Sequence, residues 1–98
     1  MPKHLALDDH ASDVVDFFKK KKLKHLRARR RVDLVVVESG PAKDPVAHVR
    51  FRRVAVSIWT LECATHMGRW QPTGFRGQLE QLLDVVTTAF PWTLEKVI

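Results

Sequence analysis

The chain has 98 residues, 45% of them hydrophobic and 29% charged, with a formal net charge of +6. That length supports one domain, residues 1–98, around a single core. No apolar run approaches the roughly 20 residues of a membrane-crossing helix, and no signal-peptide apolar region opens the chain, so a cytoplasmic protein with no membrane partner is expected. A lone cysteine, Cys63, excludes an internal disulfide.

The charge is unevenly spread. Residues 1–18 carry −3, residues 19–31 carry +9 with no acid among them, and residues 32–98 are balanced. All of the excess therefore sits in one short segment.

Residues 1–8 show no periodic pattern and read as a flexible or loosely docked lead-in. Asp8, Asp9 or Ser12 can cap a first helix starting near residues 9–11, and Asp9, Asp13 and Asp16 suit the positive end of its dipole. Ala11, Val14, Val15 and Phe18 share one helical stripe, which gives out near residues 20–22. The run Val32, Leu34, Val35, Val36, Val37 is the clearest strand, over residues 32–38, and its apolar character suggests a central position. A loop rich in Gly and Pro follows over residues 39–45.

Residues 46–65 stay extended in character for far longer than one strand of about 5–6 residues, so they must break. The alternation changes phase near residues 52–55, which predicts strands over 46–52 and 56–64 with a turn or bulge between them. Trp59, Leu61 and Cys63 then face the core and Thr60 and Glu62 face away. Thr65, His66, Met67 and Gly68 make a hairpin turn, and a short return strand from Trp70 ends near Gln71 because Pro72 has no N–H to donate. Both tryptophans are expected to pack, with Arg69 as a cationic brace for Trp70.

Gly77, with Glu80 three residues on, predicts the start of a last helix. Its apolar stripe is Leu79, Leu82, Leu83, Val86 and Phe90, and Pro91 stops it, leaving Trp92 and Leu94 to fold back as a plug. The fold class is thus α+β: an N-terminal helix, an antiparallel meander of about four strands, and a C-terminal helix packed on the sheet. The other sheet face, with some of Arg50, Arg52, Thr60 and Glu62, is left for solvent or an interface.

Trp59-Thr60-Leu61, a turn, Gly68-Arg69-Trp70, then a helix with Leu79, Leu82 and Leu83 closing on Phe90 and Trp92, resembles a domain-of-unknown-function family of small bacterial proteins. The resemblance spans residues 14–92. It departs at Glu62-Cys63, where the family has an aromatic pair, and at Phe90-Pro91-Trp92, where it has a Gly-Cys-Phe-Trp-like ending. The resemblance implies a fold and no catalytic residue, because the family has no assigned activity.

The basic segment is the sharpest functional signal. Lys19, Lys20, Lys21, Lys22, Lys24, Arg27, Arg29, Arg30 and Arg31 would bind phosphates with release of counterions, and Arg50 and Arg52 would extend the patch if their strand lies beside it. A solvated, solubilising charge run is the plainer reading of the same residues. The five histidines show no zinc spacing, so no metal or cofactor is expected. His66 with Arg69 and Glu62 would be the acid–base set of a small ribonuclease toxin, although a turn histidine is ordinarily solvated. The expected function is a non-enzymatic binding module for nucleic acid or another polyanion, such as an acidic protein. The alternative is a protein-interaction module or homodimer using the open sheet face and the Trp92 region.

Overall fold

A computed structural model of the chain describes residues 4–41, 43–65 and 69–95. The expected turn at His66, Met67 and Gly68 lies outside the described residues, and so does the proposed acid–base role of His66. The order is α1 (Asp8–Lys20), β1 (Arg27–Arg31), β2 (Leu34–Ser39), β3 (Val46–Arg53), β4 (Trp59–Ala64), β5 (Trp70–Gly77), α2 (Leu79–Ala89) and a 3-10 turn (Pro91–Leu94). All five strands pair antiparallel in sequence order. The α+β class is as expected, with five strands in place of about four.

The extra strand is the second half of the basic segment. Arg27–Arg31 pairs residue by residue with β2, with Ala28 opposite Val37 and Arg29 opposite Val36. Arginine serves on an edge strand because its long stem can lie along the sheet while its charge stays in water. Val32, which periodicity places in the central strand, instead belongs to the tight turn between β1 and β2, with φ of 56°. The second correction is β5, which runs past Pro72 to Gly77. As the outer strand, β5 has a free edge on which proline is tolerated, and a register shift between Thr60 and Glu62, with Gly74 at φ of 84°, absorbs extra residues.

Both helices lie on one face. Val14 and Phe18 of α1, Leu82, Leu83 and Val86 of α2, and Leu94 of the final turn are buried with Val35, Val37, Val49, Phe51, Trp59 and Leu61 of the sheet. Helix α1 covers β1, while α2 covers β4 and β5. The lead-in is docked at Ala6, which is fully buried and donates its N–H to the Val32 carbonyl, 2.9 Å away. Helix α2 begins one residue later than Gly77 implies. Gln78 is its N-cap, and its N–H donates to Oε1 of Gln81 at 3.0 Å.

Alternation decides the rest. Residues Val35, Val37, Val49 and Phe51 point to the helices, so their neighbours Val36, Arg50 and Arg52 must point to the helix-free face. Among the described residues no helix is long and apolar enough to cross a membrane.

Candidate nucleic-acid interface

The helix-free face is built in rows across the strands. One row reads Arg31, Leu34, Arg52, Thr60, Arg76, each residue paired with the next from β1 to β5. At a strand spacing of about 4.8 Å, its three guanidinium-bearing positions recur every two strands, about 10 Å apart. The neighbouring row is Arg29, Val36, Arg50, Glu62, Pro72, and beyond it Arg27 stands opposite Glu38. Six arginines thus share a face with two carboxylates, Glu38 and Glu62. Asp33 adds a third at the rim, where its Oδ2 lies 3.2 Å from Nη1 of Arg52.

These carboxylates orient the arginines and leave a positive remainder. Glu38 is shared by Arg27 and Arg29, each at 3.5 Å, and Glu62 is paired to Arg50 and, at 3.9 Å, to Arg52. Arg50 also stacks on Trp70, its guanidinium carbon 4.5 Å from the ring centroid. Val36 is 5% exposed although no helix covers it, flanked in its row by Arg29 and Arg50. Arginine stems are the groups available to shield it. One Nη of Arg27 is buried and, among the described residues, has no hydrogen-bond partner. A ligand oxygen would satisfy it.

The candidate residues named from sequence divide into three groups. Arg27, Arg29, Arg31, Arg50 and Arg52 come together on this face. Arg30 alternates to the helix side, where its Nε donates to Asp8 at 2.9 Å. Lys19 and Lys20 end α1, and Lys21, Lys22 and Lys24 follow in the link to β1, all exposed. Lys21 holds its ammonium 5.6 Å from the Phe17 ring centroid. Sequence reasoning missed Arg76, because β5 was expected to end before it. It also missed Trp70, whose partner across the ladder, Ala64, puts it on the open face and not in the core. The cation on Trp70 is Arg50, not Arg69.

The helix side carries an acidic cleft. A cleft of about 760 Å³ opens between the helices over Trp59, walled by Asp13, Asp16, Glu80 and Asp84 with Lys20 as its only cation among the described residues. His10 meets Trp59 edge-on at 4.8 Å. Its burial, helped by the nearby Arg53 charge, lowers its pKa. The four carboxylates disfavour an anion inside this cleft.

Two further histidines secure the C-terminal turn. His48 is 3% exposed and Ser39 5%. The Thr93 carbonyl can only accept, so His48 Nδ1–H donates to it at 2.7 Å, and Nε2 accepts from the Ser39 hydroxyl at 2.7 Å. His25 Nε2–H likewise donates to the Leu94 carbonyl at 2.7 Å. A buried serine and histidine in contact have the look of a nucleophile and base, but here they hold a turn from inside the fold. Burial is also what lowers the His48 pKa and raises that of Cys63. Leu94 is the expected plug at 1% exposure, whereas Trp92 stands out at 62%.

The fold defines the class: a five-stranded antiparallel meander with two helices on one face and an arginine-rich, helix-free surface on the other. No family model, curated protein or solved structure matches the chain. Among the described residues, no group of three or more His, Cys, Asp or Glu is placed to hold a metal ion.

Proposed function

We propose that this protein is a non-enzymatic binding module whose helix-free sheet face takes nucleic acid or a closely similar polyanion. The observation that carries the reading is the pairing register. It gathers Arg27, Arg29, Arg31, Arg50, Arg52 and Arg76, from three strands, onto one surface while the acids Asp13, Asp16, Glu80 and Asp84 collect on the other side. Guanidinium groups suit phosphates because their planar fork presents paired donors. Their anchoring by Glu38 and Glu62 preorganises them, so less side-chain freedom is lost on binding.

The test is fluorescence anisotropy of labelled single-stranded and duplex oligonucleotides from low to physiological salt. If three to six phosphates are neutralised, the single-strand affinity falls with a log–log salt slope of about −2 to −4, taking about 0.7 per phosphate. Changing Arg31, Arg52 and Arg76 together to Gln should flatten the slope by about 2. Changing Lys19, Lys20, Lys21 and Lys22 to Gln should alter it less. The reverse order would assign binding to the helix end and overturn the sheet-face reading. Absence of binding at low salt would remove the nucleic-acid reading altogether.

A further inference from the structure

Beside β5, on the far side from β1, a cleft of about 580 Å³ lies between the β4–β5 pair and the C-terminal turn. Its walls include Cys63, Pro72, Phe90 and Trp92, with the polar residues Gln71 and Thr73 beside them. We propose that this cleft is a nucleobase site, which takes a base of a single strand whose phosphates lie on the arginine face. The proposal rests on the nucleic-acid reading of that face and names the chemistry that the edge of the sheet adds to it.

Three features make the site. First, it offers ring surface in a fixed place. Trp92 meets Phe90 edge-on at 5.7 Å, and Phe90 meets Phe75 at 5.8 Å. The turn that carries Trp92 is tied down on its next two residues by the bonds from His48 to Thr93 and from His25 to Leu94. An indole that is 62% exposed on a pinned turn is a platform, since stacking on it orders nothing further. Second, the cleft is apolar with a few polar groups, within the size range that encloses a small planar ligand. The exposed carboxamide of Gln71 can both donate to and accept from the edge of a base.

Third, the cleft meets the arginine rows at the β5 edge of the sheet, on the helix side of that edge. Pro72 lines it and is also the last member of the row Arg29, Val36, Arg50, Glu62, Pro72. Trp70, under the Arg50 guanidinium, is the ladder partner of Ala64, which lines the cleft as well. A strand running across the sheet from β1 to β5 therefore reaches the aromatic cleft by turning round the β5 edge at Pro72. A duplex keeps its bases stacked and cannot place one there.

The decisive comparison is between a thymidine 12-mer and an abasic 12-mer with the same number of phosphates, measured by anisotropy at one salt concentration. The base-bearing oligomer should bind the native protein about 5- to 150-fold more tightly, as one stacked base supplies. Trp92→Ala should abolish that difference and leave abasic affinity unchanged, while Trp92→Phe keeps most of it. Gln71→Ala should reduce the difference without touching the aromatic wall, and thermal melts would verify that each variant folds. Equal affinity of the two oligomers for the native protein would overturn the base site and leave the arginine face standing. So would a loss in Trp92→Ala that falls alike on both. Binding of neither oligomer would overturn the arginine-face reading and this one together. A concentration-dependent dimer that Trp92→Ala dissociates would assign the aromatic cleft to a second copy of the chain instead.

Discussion

Replacing His48 with Ala tests whether the buried histidine holds the C-terminal turn. The change removes the donor to the Thr93 carbonyl and the acceptor for the Ser39 hydroxyl, both at 2.7 Å, in surroundings where His48 is 3% exposed. Each polar group left without a partner costs about 1–3 kcal/mol. The pair therefore costs about 2–6 kcal/mol, before any contribution from the space the ring vacates. A domain of this size has about 5–15 kcal/mol in all, so the variant should remain folded but much weakened. With a urea slope of about 1.5 kcal/mol per M, the midpoint should fall by about 1.3–4 M. His48→Asn, which retains a short donor, should lose less. His25→Ala breaks a single bond to the Leu94 carbonyl and should cost about 0.5–1.5 kcal/mol.

The same residue gives the unfolding curve a pH signature. His48 is held below its ordinary pKa of 6.5, first by burial and also by His25, whose ring lies 6.1 Å away, against an opposing contribution from the Thr93 bond. The unfolded chain then binds the proton more readily than the folded one. The stabilisation from neutral His48 is complete above about pH 6.5 and is lost as pH falls toward the folded-state pKa, with a slope of at most about 1.4 kcal/mol per pH unit. His10 acts in the same direction, so the native curve should decline in acid and the His48→Ala curve should decline less steeply. A His48→Ala penalty under about 1 kcal/mol, or a pH dependence identical to the native one, would refute the assignment.

Other outcomes follow from single contacts. Glu62→Gln frees Arg50 from its carboxylate and raises the charge of the sheet face by one, so the salt slope should steepen by about 0.7, with anisotropy as the readout. Val32 is β-branched at a φ of 56°, and Val32→Asn or Val32→Gly should stabilise the β1–β2 turn by about 1 kcal/mol in urea unfolding. Val86 is fully buried in the shared core, and Val86→Ala should cost about 1–3 kcal/mol with no selective effect on binding at the far face of the sheet. Partial burial raises the Cys63 pKa, so its alkylation at pH 8 should be slower in the folded protein than in urea; equal rates would contradict the packing described.

The order of residues alone encodes the elements whose signal is local. Val14 and Phe18 mark one helix stripe, Leu82, Leu83 and Val86 another, and the Val35–Val37 stretch a covered strand, because each pattern repeats at the period of its own element. It also set the concentration of nine cations within residues 19–31 and the inward alternation of Trp59 and Leu61. Local pattern failed where stability comes from neighbours. Arg27–Arg31 lacks the apolar alternation of a strand, yet it becomes one because β2 offers a ladder and Val37 a partner for Ala28. Trp70 has the appearance of a core residue until pairing with Ala64 fixes its face.

Which cations share a face follows from strand pairing. Arg31, Arg52 and Arg76 are separated by more than twenty residues at each step, and antiparallel register alone sets them in one row. Arg30, between two arginines of the open face, is turned away to Asp8 for the same reason. A strand places successive side chains on opposite faces, so the meaning of a charge run depends on pairing that no segment of the sequence contains.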